Sequence, residues 1–277
     1  MTQSLMFEDA FESTATASTV VYRVLSPAAP NAGERLPVIL HLHGAMSSSA
    51  FLEVAKPIYD AAWLNGTLPR AIVACASTPT MGGFYIDRPD GAAWERLVAT
   101  ELPERLAARF ALTEARAAIG FSMGGYGALK LAFRQPERYR AVAAMCPAIF
   151  PAETSVEVPE KNRGSVLGEL NLAMGESSDD YSNNCVQALL RRNHEDIAAS
   201  GVRILLECGE RDELGLHDGA MHLHHLLMEL QVDHLWHSLP GIGHADAGTT
   251  RLEKALAFLG RALAETASTE EFFDGLC

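Results

Sequence analysis

What the chain has little of narrows its chemistry first. Cysteine is sparse: Cys75, Cys146, Cys185, Cys208 and Cys277, an odd number, widely scattered and without a C-x-x-C pair. That spacing argues against a disulfide framework and against a structural zinc site. Three of the five lie in apolar runs that read as buried strands, so they are expected to be small core residues in a reducing compartment. Long hydrophobic runs are missing too, and none reaches the roughly 18 residues that span a bilayer. The first ten residues carry no basic stretch and no apolar one, so no secretory leader is expected and a cytoplasmic location is. Positive charge is short, with Lys+Arg 22 against Asp+Glu 35 and a formal net charge of −13. Such a surface repels phosphate backbones and anionic lipid, so neither nucleic acid nor membrane is expected as a partner; self-association stays open. Internal repeats and low-complexity tracts are absent as well.

What is present is the composition of a packed globule: 277 residues, 48% hydrophobic and 21% charged, too apolar and too weakly charged for disorder. Apolar β-rich runs occur at residues 19–25, 36–42, 71–76, 115–119, 141–146, 202–208 and 234–239. Between them, residues 51–65, 93–110, 123–133, 219–230 and 250–263 repeat apolar side chains every three or four positions, the mark of a helix with one buried face. Strands apolar on both faces, alternating with helices, imply an α/β fold: a mostly parallel central sheet with helices on both sides and right-handed crossovers. Residues 19–25 read as a strand near the sheet edge. The stretch 147–200 breaks the rhythm. It shows no clear strand, carries Pro147, Pro151 and Pro159, and has its best helical pattern at 183–192. A structureless loop of that length is unusual inside a domain, so 147–200 is expected to be an inserted cap within a single domain over 1–277. The polar residues 266–277 are expected to fray.

The chemistry centres on Gly120-Phe121-Ser122-Met123-Gly124. A G-x-S-x-G string between a strand and a helix is a nucleophile elbow: the chain turns so sharply that only small residues fit beside the serine. The helix start behind Ser122 offers free N–H groups and a positive dipole end to a developing oxyanion. The rival reading, a dinucleotide loop, fails because Gly120, Gly124, Gly125 and Gly127 do not fit G-x-G-x-x-G, and the next strand ends Met145-Cys146-Pro147, not in an acidic residue.

A serine needs a base, and the base an orienting acid, each in a loop after a later strand. The strand ending at Cys208 runs into Gly209-Glu210-Arg211-Asp212, and the one ending at Leu239 runs into Pro240-Gly241-Ile242-Gly243-His244. Asp212 is therefore the expected acid, ahead of Asp218, Glu210 and Glu213, and His244 the expected base. His222, His224 and His225 sit on a helical pattern, His234 and His237 within a strand, and His41 and His43 precede the serine. The second oxyanion donor is expected from the loop after the strand at 36–42, at the N–H of Ala45, working with that of Met123; His43 is expected to hold this loop by hydrogen bonds. Met46, Phe84, Tyr85, Ile149 and Phe150 are expected near the substrate, and the chemistry calls for no metal and no cofactor.

With these residues assembled, the chain resembles the α/β-hydrolase superfamily and, within it, the esterase D-like family of S-formylglutathione hydrolases, feruloyl esterases and antigen 85-type acyltransferases. The likeness runs over roughly residues 18–265. It rests on Leu42-His43-Gly44, Glu101-Leu102, the long string from Gly120 to Leu129 containing Ser122-Met123-Gly124-Gly125-Tyr126-Gly127-Ala128, then Cys208-Gly209 with Asp212, and Gly243-His244. The resemblance implies Ser122 as nucleophile, Asp212 and His244 as its partners, and an oxyanion hole at Ala45 and Met123. The implied activity is hydrolysis of a small-molecule carboxylic ester or thioester through an acyl-serine. An acyltransferase using the same intermediate, or a non-catalytic ligand receptor on the same scaffold, are the alternatives. After His244 the chain reads Ala245-Asp246-Ala247-Gly248 instead of the family's frequent aromatic-rich stretch, which leaves acyl chain and leaving group unassigned.

Overall fold

The computed structural model describes residues 4–28, 33–79, 83–88, 91–175 and 177–264. Among these, eight strands form one sheet in the order β1-β2-β4-β3-β5-β6-β7-β8. They are β1 (Leu5–Ser13), β2 (Ser18–Ser26), β3 (Leu36–Leu42), β4 (Ile72–Ala76), β5 (Leu112–Phe121), β6 (Ala141–Met145), β7 (Arg203–Gly209) and β8 (Leu235–Leu239). β1 and β2 form an antiparallel hairpin, β2 meets β4 antiparallel, and every pair from β4 to β8 is parallel. The helices are α1 (Phe51–Leu64), α2 (Trp94–Arg96), α3 (Leu102–Ala107), α4 (Met123–Arg134), α5 (Ser165–Ala173), α6 (Ser178–Asn184), α7 (Val186–Ser200), α8 (Leu216–Glu229) and α9 (Gly248–Ala264).

The central strands are largely apolar because each feeds two cores. On β6, Val142 and Ala144 face the layer of α4, α7 and α8, while Ala141, Ala143 and Met145 face α1 and α9. This is the period of two expected of a strand buried on both sides. Their small size lets α4 sit close to the sheet. The helices supply the bulk: Leu129 and Phe133 on one side, Tyr59, Leu256 and Phe258 on the other, all buried.

Two features differ from the sequence reading and a third refines it. β2 lies near the edge as expected, but the edge strand itself is β1, which the sequence reading did not mark. Its residues Phe7, Asp9 and Phe11 alternate with the exposed Glu8, Ala10 and Glu12, and its acidic residues keep the apolar pattern from standing out. The single helix expected over 93–110 is broken: α2 passes into a wider π-helical turn, Leu97–Glu101, before α3. Pro103 has no N–H to give the carbonyl four residues back, and the Arg116 guanidinium takes that carbonyl, on Ala99, at 3.2 Å. Third, the stretch 147–200 holds two short 3-10 turns and α5 to α7. Of these, α7 lies against α4 and buries Val186, Leu189, Leu190 and Ile197 in the sheet-side core. Residues 266–277 lie outside the described residues. Among the described residues no helix is long and apolar enough to cross a membrane.

Leu256 is fully buried between α9 and the sheet, whereas Val54 on α1 is 70% exposed. Leu256→Ala should lower unfolding free energy by about 2–5 kcal/mol, read as a lower denaturant midpoint at unchanged slope. Val54→Ala should stay within about 0.5 kcal/mol.

Candidate active site

The site is built at the carboxyl ends of β3, β5, β6, β7 and β8. Ser122 stands between β5 and α4 with φ 56° and ψ −117°, a backbone conformation a serine holds only when its surroundings impose it. They do. The Ser122 N–H donates to the Met145 carbonyl at 2.9 Å, and the Ser122 carbonyl accepts from the Tyr126 and Ala148 N–H groups at 3.0 and 2.9 Å. A Cβ on Gly124 would stand 2.0 Å from the Leu42 carbonyl oxygen, and one on Gly120 would stand 2.2 Å from the Gly124 backbone. Only glycine permits this approach. The Ser122 side chain makes no capping bond to the helix it precedes, and Met123 is the first residue of α4, so its N–H has no intrahelical acceptor.

The loop after β3 lies alongside: the Cβ position of Gly44 is 3.9 Å from Cβ of Ser122. His43 organises this loop, as its sequence position suggested. Its Nε2 accepts the Thr78 N–H at 3.0 Å, which leaves the ring proton on Nδ1, and Nδ1 donates to the Gly44 carbonyl at 2.8 Å. Gly44 C=O and Ala45 N–H belong to one trans peptide and point in opposite directions. Pinning the carbonyl to His43 therefore turns the Ala45 N–H away from it. Burial holds the His43 pKa below its ordinary value, so the ring stays neutral and the tautomer fixed. The His43 carbonyl in turn accepts the Tyr85 hydroxyl at 2.9 Å, and the Tyr85 carbonyl accepts Nζ of Lys130 at 3.0 Å. Lys130 is fully buried on α4 and pairs with Glu95 at 2.7 Å.

Asp212 and His244, read from two separate loops, meet. His244 Nδ1 donates to Asp212 Oδ2 at 2.6 Å. Hydrogen bonds between the loops bring them there: Glu210 N–H to the Leu239 carbonyl and Arg211 N–H to the Ile242 carbonyl, both at 3.0 Å. The other carboxylate oxygen, Oδ1, accepts the N–H groups of Leu214 and Leu216 at 2.9 and 3.3 Å, at the start of α8. Burial works against the Asp212 charge, but His244 and these N–H groups outweigh it and hold the carboxyl below its ordinary pKa. The His244 ring lies 4.8 Å from that of Phe121, the residue before Ser122.

Beneath this pair lies a group of buried residues the sequence reading did not connect with it. Arg251, on α9 and 2% exposed, donates from Nη1 to the His244 carbonyl at 2.8 Å and from Nη2 to the Gly243 carbonyl at 3.2 Å. Its Nε lies 3.2 Å from Glu207, itself buried on β7. From the other side, Glu213 accepts the His244 N–H and Asp246 the Gly243 N–H, both at 2.8 Å. The loop carrying His244 is thus held at both peptide faces. The available signal was the spacing: Arg251 precedes Ala255 by four residues and so shares the inner face of α9. Cys146, expected as strand packing, sits just past β6, with Sγ 3.1 Å from Arg251 Nη1.

The remaining expected residues are placed as follows. Phe84, Tyr85, Ile149, Phe150 and the Met123 side chain are 1–2% exposed and belong to the core under the site. Met46, next to Ala45, is 85% exposed. Asp218 pairs with Lys161 on the surface. His224 and His234 bond each other at 2.7 Å, and the buried His41 bonds Tyr59 at 2.9 Å.

A mostly parallel eight-stranded sheet with a serine at a strand–helix elbow and an Asp–His pair after later strands is the α/β-hydrolase architecture. Comparison with known proteins agrees. The family model described as "Putative esterase" matches residues 13–237, and the chain belongs to that family. An S-formylglutathione hydrolase of Paracoccus denitrificans (strain Pd 1222) is 34% identical over 161 residues, 52% of this chain and 57% of that protein. The chain thus spans little more than half the length of the curated relative it matches. Among solved structures, a ferulic acid esterase superposes with TM-score 0.78 at 22% identity, covering 94% of this chain and 99% of the other. An S-formylglutathione hydrolase from Agrobacterium tumefaciens gives 0.76 at 18%, covering 94% and 96%. At such identities the likeness is one of fold.

Two expectations follow. Arg251→Met leaves Glu207 without its cation and two loop carbonyls without donors. It should cost about 3–5 kcal/mol of stability, whereas surface Arg138→Met should cost little; thermal unfolding of the two variants checks this. The pH dependence is signed. Burial pulls the His244 pKa down, but the bond to Asp212 and the contact with Cys146 outweigh it and raise it to about 9. An imidazole accepts a proton only when neutral, so His244-dependent turnover of an uncharged ester should rise with pH, with kcat/KM inflecting near pH 9 and levelling off only above it. Asp212→Asn should move that inflection down toward the ordinary 6.5 while lowering the plateau rate.

Proposed function

We propose that this chain is a serine hydrolase that cleaves a carboxylic ester or thioester of a small molecule through an acyl-serine intermediate. The observation that carries the reading is the 2.6 Å bond between His244 and Asp212 beside a serine held at φ 56° on a strand–helix elbow. A receptor needs none of this, whereas a nucleophile needs all of it.

In the mechanism, Nε2 of His244 takes the Ser122 proton as Oγ attacks the carbonyl carbon. Asp212, ionised and held by two backbone N–H groups, keeps the His244 proton on Nδ1 and stabilises the imidazolium. The N–H groups of Ala45 and Met123 bind the tetrahedral oxyanion, each such donor being worth about 3 kcal/mol of barrier. His244 returns its proton to the leaving alcohol or thiol. Water, activated by the same ring, then releases the acid and restores Ser122.

Residues 147–200 are the cap-like insertion of this reading, with α7 packed on α4. Near its start, the Ala148 N–H is bonded to the Ser122 carbonyl. A cytoplasmic location goes with the buried free thiols. Between ester and thioester, the sequence likeness to an S-formylglutathione hydrolase favours a small acyl group on a thiol, since the ferulic acid esterase is matched in fold. Transfer of the acyl group to an alcohol or amine in place of water is the second reading.

Ser122→Ala should abolish hydrolysis of p-nitrophenyl acetate and of S-formylglutathione while leaving the circular dichroism spectrum unchanged. Wild-type protein should gain the mass of one phosphonyl group on Ser122 with a fluorophosphonate, and the variant none. Undiminished turnover in Ser122→Ala would overturn the assignment. Product analysis with added alcohols and amines separates hydrolysis from transfer.

A further inference from the structure

The mechanism above leaves one group beneath the site unused. Cys146 is fully buried at the carboxyl end of β6. Its Sγ, a carboxylate oxygen of Asp212 and a ring nitrogen of His244 all lie within 4.8 Å of one another. A second thiol adjoins them: Sγ of Cys208 is 3.9 Å from Asp212 Oδ2. It stands beside Cys146 because β6 and β7 are paired in register at Met145 and Glu207. One sulfur, one oxygen and one nitrogen, converging from three strand ends, form a mixed donor set suited to a thiophilic divalent ion.

We propose that Cys146, Asp212 and His244 form a binding site for a thiophilic divalent cation such as Zn²⁺ or Cd²⁺, and that its occupancy switches the hydrolase off. The geometry needs little change. A tetrahedral ion with ligands at about 2.0–2.3 Å spaces them roughly 3.3–3.8 Å apart. The Asp212–His244 pair, at 2.6 Å, opens by less than about 1 Å, and the longer separations close by a similar amount. Binding replaces protons by the ion: the thiol proton, where present, and any proton on the ligating ring nitrogen leave to solvent. Whichever imidazole nitrogen is taken, the base is lost, either because its lone pair is occupied or because the proton shared with Asp212 is gone.

Arg251, 3.1 Å from Cys146 Sγ, favours the thiolate and opposes a second cation. Glu207, 3.2 Å from its Nε, offsets that opposition. The ion enters by the imidazole, since the His244 side chain is 16% exposed while the thiol is closed off. The loss of activity rests on the serine-hydrolase reading; the binding does not.

The test is a Cd²⁺ titration of the full chain, with thiolate-to-cadmium ultraviolet absorbance and equilibrium dialysis as binding readouts and ester hydrolysis in parallel. One ion per chain is expected, with absorbance and inhibition rising together and both reversed by a chelator. Cys146→Ser should lose the absorbance. Relative to its own metal-free rate, it should need at least about tenfold more Cd²⁺ for half inhibition. Ser122→Ala, inactive in the reading above, should bind Cd²⁺ like the wild type. Cys185→Ser, a buried thiol remote from the set, should change nothing. Equal inhibition of Cys146→Ser, or absorbance that survives in it, overturns the proposal. A chain that binds Cd²⁺ but shows no hydrolysis without it overturns the hydrolase reading and leaves the site standing.

Discussion

The arrangement depends on how closely the start of α4 lies against the end of β3. No side chain separates Gly124 from the Leu42 carbonyl, where a Cβ would come within 2.0 Å. That approach sets the loop at His43 to Ala45 beside Ser122, and it forces the turn that lifts the serine out of the strand into a left-handed conformation. A close backbone contact of this kind is unforgiving, because neither partner has a flexible end that can yield. The hydrogen bonds around Ser122 fix what the contact imposes, and they run to β6 and to the residues after it, so the neighbouring strand also shares the load.

Electrostatics then divides the site into two layers. Above, Asp212 and His244 face each other with the carboxylate supported by the start of α8, so the charge is placed before any substrate arrives. Below, Arg251 and Glu207 form a pair removed from water. Such a pair contributes little net stability compared with apolar packing, but it costs a great deal if half of it is lost. Its use is directional: the guanidinium presents donors at fixed angles, and here two of them meet consecutive carbonyls of the loop that carries His244. The helix closing the fold therefore also positions His244.

Much of this was legible in the chain itself. β4 and β6 are apolar on both faces, and a covered parallel sheet accommodates them. Once the order of strands is known, Ser122, Asp212 and His244 fall at carboxyl ends that must converge. The break at Leu97–Glu101 was less visible because the apolar spacing continues across it; only Pro103 marks it. β1 was hidden by its own acidic residues. Cys146 was read by composition as a small core residue, and Arg251 drew no reading of its own. Their roles depend on neighbours far away in sequence, which periodicity does not report. Burial of Phe84, Tyr85, Ile149 and Phe150 is the same lesson inverted: aromatic and apolar residues near a site in sequence are as easily its foundation as its lining.

The chain of contacts from Lys130 through Tyr85 to His43 has a consequence for how such a protein diversifies. Lys130 rides on the helix of the candidate nucleophile, and His43 governs the loop facing it, so the two halves of the candidate site are fastened together from behind. Substitutions there alter both at once. Met46, exposed on the outer side of that loop, carries no such tie, and neither do the exposed side chains of Val156 and Leu172 in the segment after β6. Inherited variation can accumulate at those outer positions while Ser122, Asp212 and His244 keep their relative positions.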